Sequence, residues 1–238
     1  KAANEKVNPP NFSLARKMTR EFIGGEDHMD FRYWNNNLGS LIKLHIDDFY
    51  SPKDLVKEFD LEGKMETQAT YGNLQLGDQG SKRFIQSGYR FYERDGERFA
   101  IIVSQDQDGD QRIVFITNTS GRGVELLDEL EEDFYANGPL NGAFFDMSYN
   151  FMKRSEMVDE LLAWNPTIRS QLKKDVLDFL RLMPILGDRG LPNSRGVILS
   201  GAPGTGKTMY AKSLAAEAET TTILISAEMI QQRHDVKT

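Results

Sequence analysis

Eight residues near the end of this chain have types and spacing suited to one chemistry. Gly201 is followed by Ala202, Pro203, Gly204 and Thr205, then by Gly206-Lys207-Thr208, the Gly-x4-Gly-Lys-Thr spacing of a phosphate-binding loop. Glycines let the backbone turn tightly and approach a phosphate with no side chain in the way. Successive N–H groups and a helix N-terminus then turn partial positive charge toward a polyphosphate. Lys207 reaches the β- and γ-phosphates in such a loop, and the Thr208 hydroxyl completes a Mg²⁺ shell. The alternative is a glycine-rich loop with no ligand; the lysine and threonine in register argue against it.

The flanks of the loop fit the same reading. Residues 197–200, Val-Ile-Leu-Ser, predict a short buried strand, and an amphipathic helix with Met209, Leu214 and Ala215 at apolar positions follows. Strand, loop and helix together are the context the motif requires. The run 221–226 predicts a parallel strand, so 197–226 reads as a β-α-β unit.

Composition narrows the classes. The 238 residues suffice for one large domain or two ordinary ones, with 39% hydrophobic and 27% charged content. A net charge of −7 offers no electrostatic footprint for nucleic acid. With no cysteine, disulfides, thiolate catalysis and Cys-ligated zinc are excluded, and a reducing compartment fits. No apolar run reaches membrane-span length and no signal peptide opens the chain, so a cytoplasmic location is expected.

Upstream, residues 1–12 read as a loose leader. Ser13 is placed to cap a short helix carrying Leu14, Met18 and Phe22, closed by Gly24-Gly25. The run 41–46 predicts a strand, and Ser51-Pro52 opens a predicted short helix through Phe59. Residues 62–82 read as loop with a weak strand. Runs 88–93, 99–105 and 112–118 are β-rich and joined by Asp-Gly turns, an antiparallel meander.

Two acidic clusters invite metal readings that their details oppose. Asp106, Asp108 and Asp110 alternate as in a calcium loop, but Gly109 precedes the third Asp and strands flank the turn. His45 beside Asp47-Asp48 reads as ordinary surface. An acidic helix over 124–135 follows, with Glu125, Asp128, Glu129, Glu131 and Glu132 outward, a solvated face or a dock for a basic partner. A helix from Ser155 to Trp164 and a longer one over 167–183 lead to a loop over 187–194.

The stretch Gly190-Leu191-Pro192-Asn193-Ser194-Arg195-Gly196, continuing through Thr208, resembles the opening of an AAA ATPase module. With the lead-in Val176-Leu177-Asp178-Phe179-Leu180, it looks most like the branch of the mitochondrial Rieske-protein translocase and its bacterial and viral relatives. Ala202 stands where that family more often has Pro. The expected fold is an α+β N-terminal domain, antiparallel meander plus helices, followed by the opening β-α-β portion of an α/β P-loop AAA domain. The corresponding boundaries are a leader and short helix over 1–30, an α+β domain over 31–153 and the first part of the ATPase domain over 154–238.

The resemblance implies ATP and Mg²⁺ on residues 201–208, with Lys207 and Thr208 catalytic, Thr208 on the metal and Met209 beside the adenine. It implies a homo-oligomeric ring, hexamer or heptamer, acting on a protein substrate or adaptor through 31–153, with no nucleic acid and no visible membrane segment. Such modules also carry a strand ending in paired acids, and 209–238 contains none. The sequence therefore reads as stopping within the ATPase core, with little hydrolysis of its own. The competing class is a partner-binding or oligomerisation module bearing a non-catalytic loop. A DNA-handling motor is disfavoured by the acidic charge.

Overall fold

The computed structural model describes residues 12–61, 69–154 and 164–229. They form two compact units, one running to Gln75 and resuming over Ser81–Pro139, the other comprising Leu76–Gly80 and the chain from Leu140 onward. The sequence-based division at 153/154 lies further along the chain than this one.

The first unit is an antiparallel sheet with helices on both faces. Its elements are α1 (Phe12–Ile23), β1 (His28–Trp34), α2 (Asn36–Phe49), β2 (Leu55–Phe59), β3 (Thr70–Gln75), β4 (Ser81–Arg94), β5 (Glu97–Gln105), β6 (Gln111–Thr117) and α3 (Arg122–Asn137). Strand order is β1-β6-β5-β4-β2, with β3 also paired to β4. The expected meander is β4-β5-β6. Its first turn has Asp95 at φ 51° and Gly96 at φ 82°, the left-handed pair of a type I′ hairpin, and joins Arg94 to Glu97 in register. In its second turn the Asp106 carboxylate accepts from the N–H groups of Asp108 and Asp110 at 3.0 and 2.9 Å.

Helix α1 lies on one sheet face, with Ala15 and Ile23 packed against Phe91, Ala100, Val114 and Ile116. Gly24, at φ 76°, ends it by donating to the Arg20 carbonyl. Ser13's side chain lies outside the described set. On the same face Arg16 and Arg20 both bind Asp27, Arg16 at 2.6 Å.

Helices α2 and α3 cover the opposite face, and here the expected strand over 41–46 is corrected. These residues belong to α2, which Asn35 caps by accepting from Leu38 N–H at 3.0 Å. All six are buried, so no period-2 alternation exists, and a short buried run reads as either element. The polar members have interior partners. Lys43 Nζ donates to the carbonyls of Gln86 and Ser104 at 2.7 and 3.0 Å and to Gln111 Oε1, while His45 Nε2 meets Asp133 Oδ2 at 2.8 Å. The expected helix over 51–59 is likewise a turn at Ser51 followed by β2. Glu58, on that strand, is held by buried Arg90 at 2.7 Å, so tertiary pairing overrides local helix signals.

The outer face of α3 is largely engaged by the chain itself. Asp128 and Glu131 bind Arg32, and Glu125 and Glu129 bind Arg122. The basic partner considered for this face is, for these four carboxylates, supplied from within.

The second unit contains β7 (Phe144–Asp146), α4 (Pro166–Lys173), a π-helical turn (Lys174–Asp178), α5 (Phe179–Asp188), α6 (Lys207–Glu217) and β8 (Thr222–Leu224). Helix α4 begins at Pro166 with Asn165 capping Thr167 N–H at 2.9 Å, and the helical run continues past Pro184 to Asp188, beyond the expected end at Met183. The helix expected from Ser155 falls outside the described residues except for Trp164.

The β-α-β expectation needs correction at its first strand. β8 forms as expected, but its parallel partner is β7, and 197–200 joins no ladder. That segment still alternates: Val197 and Leu199 line an apolar cavity of about 390 Å³ with Leu180, Leu214 and Ile223, while Ile198 points away and is 93% exposed. Side-chain period specifies an extended chain, but a strand also needs a neighbour's N–H and C=O groups, and none of the described residues offers them.

Candidate functional site: the loop at the head of α6

The glycines of 201–208 adopt the conformations the motif calls for. Gly204 has φ 76° and Gly206 φ 80°, both in the left-handed region, and a Cβ at Gly204 would meet nothing within 4 Å. Gly206 is the residue before the first turn of α6, and its carbonyl accepts from Tyr210 N–H at 2.9 Å. Residues 201–205 and Thr208 are exposed, and Gly206 and Lys207 half-buried.

Lys207 folds back into the loop. Its ammonium donates to the carbonyls of Gly201 and Ala202 at 2.9 and 2.6 Å and lies 3.2 Å from Thr205 Oγ1. Thr205 Oγ1 in turn donates to Ala202 O at 2.9 Å. A single cation thus sits at the centre of a ring of main chain, beside the positive end of an eleven-residue helix. Chemically this set fits an anion with several oxygens: exposed loop amides, a helix N-terminus and an ammonium held by two neutral carbonyls that an anionic oxygen would outcompete. Thr208, in the first turn of α6, presents an exposed hydroxyl for a hard cation.

Supports for the loop come from residues that carry no motif of their own. Trp164 Nε1 donates to Thr205 O at 2.6 Å and its ring lies 4.6 Å from that of Tyr210. Tyr210 is fully buried and donates to Arg169 O at 2.9 Å, which fixes α6 against α4. Arg154 gathers carbonyls at the other end of α6. It reaches Ala216 at 3.4 Å and Gly142 at 3.0 Å, and also bonds Ala215 and Thr220, a cation at a helix C-terminus. Arg195 pairs with Asp175 at 3.3 Å and caps its carbonyl at 3.0 Å, tying the approach to the loop onto the π-helical turn.

One expectation about α6 changes. Its buried side is Tyr210, Ser213 and Leu214, an i, i+3, i+4 stripe, whereas Met209 is 39% exposed and stands outside that stripe. A tyrosine with a polar tip was the signal available at position 210, and its burial depends on Trp164 and Arg169, distant in sequence.

Comparison with known proteins agrees with this geometry. The family described as "ATPase family associated with various cellular activities (AAA)" matches residues 197–236. The chain is 30% identical over 99 residues, 40% of its length, to "ATP-dependent zinc metalloprotease FtsH 1" of Rhodopirellula baltica, covering 14% of that protein. It is 35% identical over 66 residues, 28% of its length, to "Probable mitochondrial chaperone bcs1" of Schizosaccharomyces pombe, covering 15% of it. The matched stretches are thus about one seventh of those relatives. Among the described residues no helix is long and apolar enough to cross a membrane. Motif, loop geometry and matches thus agree in making residues 197–236 similar to the AAA ATPase family, with a likeness to its Bcs1 branch.

Proposed function

We propose that residues 201–208 hold the triphosphate of ATP and that the protein uses ATP hydrolysis to remodel or translocate a protein substrate. The observation that carries this reading is the position of Lys207, inside a loop whose glycines leave the amides open and whose last residues start α6. In this reading the amides of 204–208 bind the β-phosphate region, Lys207 exchanges its two loop carbonyls for phosphate oxygens, and Thr208 holds Mg²⁺. The metal, when bound, neutralises charge on the transferring phosphoryl group. Met209 and the segment around Trp164 border the adenine. Assembly into a homo-oligomeric ring and recognition of a protein through the antiparallel unit belong to the same proposal.

The test is Lys207→Ala in the native-length protein. ATP turnover falls to background while circular dichroism and oligomeric state stay unchanged. Near-normal hydrolysis by that variant would refute the site.

A further inference from the structure

The sheet face that carries α1 is covered over only part of its width. Beside the helix lies a cavity of about 510 Å³, within the usual size of a small-molecule site, whose walls include Met29, Ile102, Val114 and Ile116. These wall side chains rise from β1, β5 and β6, whose backbone groups are engaged in the ladders. Polar side chains line it as well: Arg16, Thr19 and Tyr89, and a cation on β6. That cation, Arg112, stands opposite Ser104 in the β5–β6 ladder, and both line the cavity.

Arg112, like Arg83, contrasts with most arginines of this unit. Arg16, Arg20, Arg32, Arg90 and Arg122 all meet carboxylates. Arg112 meets none among the described residues. Its guanidinium carbon lies 4.5 Å from the Phe31 ring centre and 5.8 Å from that of Tyr33, and its Nε is buried with no hydrogen-bond partner. Rings on an edge strand thus hold a planar fork of donors on the wall of this cavity. Phe31 and Tyr33 are themselves 51% and 46% exposed, beside the cavity wall residue Met29 on the same strand.

From this pairing we infer that the cavity binds an aliphatic carboxylate, its chain against Met29, Ile102, Val114 and Ile116 and its head group on Arg112 and Ser104. Charge decides the head: a guanidinium with no carboxylate partner among the described residues favours an anion, and the flat fork suits a carboxylate. The walls decide the tail. A hydrocarbon chain carries no N–H or C=O groups and so packs on these four apolar side chains without leaving a polar group unpaired, as a peptide backbone over them would.

The test is calorimetric titration of the full chain with dodecanoate below its micelle concentration, with dodecanol and N-acetyl-leucyl-leucine as comparison ligands. The expected result is 1:1 binding of dodecanoate, at least tenfold weaker binding of dodecanol, and none of the peptide. Arg112→Gln weakens dodecanoate by about tenfold or more. Ile102→Trp, which fills the cavity, abolishes binding. Ser104→Ala, a smaller change for the fold, weakens it about threefold, and melting temperatures identify folded variants. Equal affinity of wild type and a folded Arg112→Gln protein would overturn the inference. So would peptide binding without dodecanoate binding, or no dodecanoate binding at all by the folded chain.

Discussion

Lys207 and Asp27 show how differently a charge behaves in a loop and beneath a helix. Lys207 is satisfied by neutral oxygens, so an anion can replace them at little cost. The Asp27 side chain is 1% exposed and locked between Arg16 and Arg20. Burial pushes its carboxyl up, but the hydrogen bonds from Arg16 and Arg20 outweigh that and bring it down to about 2, below its ordinary 3.8. Because the folded value lies below the unfolded one, the stabilisation is complete above about pH 4 and is lost as pH falls through about 2. Urea midpoints measured from pH 5 to pH 2 should therefore drop steeply in wild type and more gently in Asp27→Asn. Arg90, 3% exposed between Asp47 and Glu58, gives a second prediction. Arg90→Met leaves two carboxylates facing each other without their cation and should cost about 3–5 kcal/mol in equilibrium unfolding. A loss under 1 kcal/mol would show that water screens the cluster.

At the scale of elements, Gly88 marks where β4 changes partners, from β3 on one side of it to β2 beyond it. A Cβ there would stand 2.6 Å from Ala69 Cβ and 2.9 Å from Phe59 O, at a φ of 153°. Gly88→Ala should lower stability by about 1–3 kcal/mol, read from denaturant midpoints, whereas Gly96→Asn in the β4–β5 turn should cost only a few tenths. The elements legible in the sequence were those with local punctuation. Asp95-Gly96 announced a hairpin and Gly24 a helix end. Those missed had punctuation of equal strength but a tertiary cause. The run 41–46 looks like a strand by its Ile and Leu content, and only Lys43 and His45 finding interior partners makes an all-buried helix tolerable. Residues 197–200 carry strand periodicity, as Val197 and Leu199 against Ile198 show, but a ladder is a property of two segments and cannot be read from one.

For the whole molecule, the loop was legible because its chemistry is local: eight consecutive residues supply glycines, cation and hydroxyl. Trp164, Tyr210 and Arg154 were not, since each acts through residues more than forty positions away in sequence or through carbonyls that any residue offers. Trp164 also supplies a built-in reporter, because its indole N–H bonds the Thr205 carbonyl and the chain has one other tryptophan, Trp34. In a Trp34→Phe background, occupation of the loop should shift Trp164 emission, and Trp164→Phe should silence that signal without removing binding. The central claim, that 201–208 grips a triphosphate through Lys207, is tested most directly by titrating the native-length protein with ATP and Mg²⁺ by calorimetry. Saturable binding is expected, weakened at least about tenfold by Lys207→Ala, as loss of a charge-assisted contact of about 1.5–3 kcal/mol requires. Unchanged affinity in a folded Lys207→Ala protein would contradict the account.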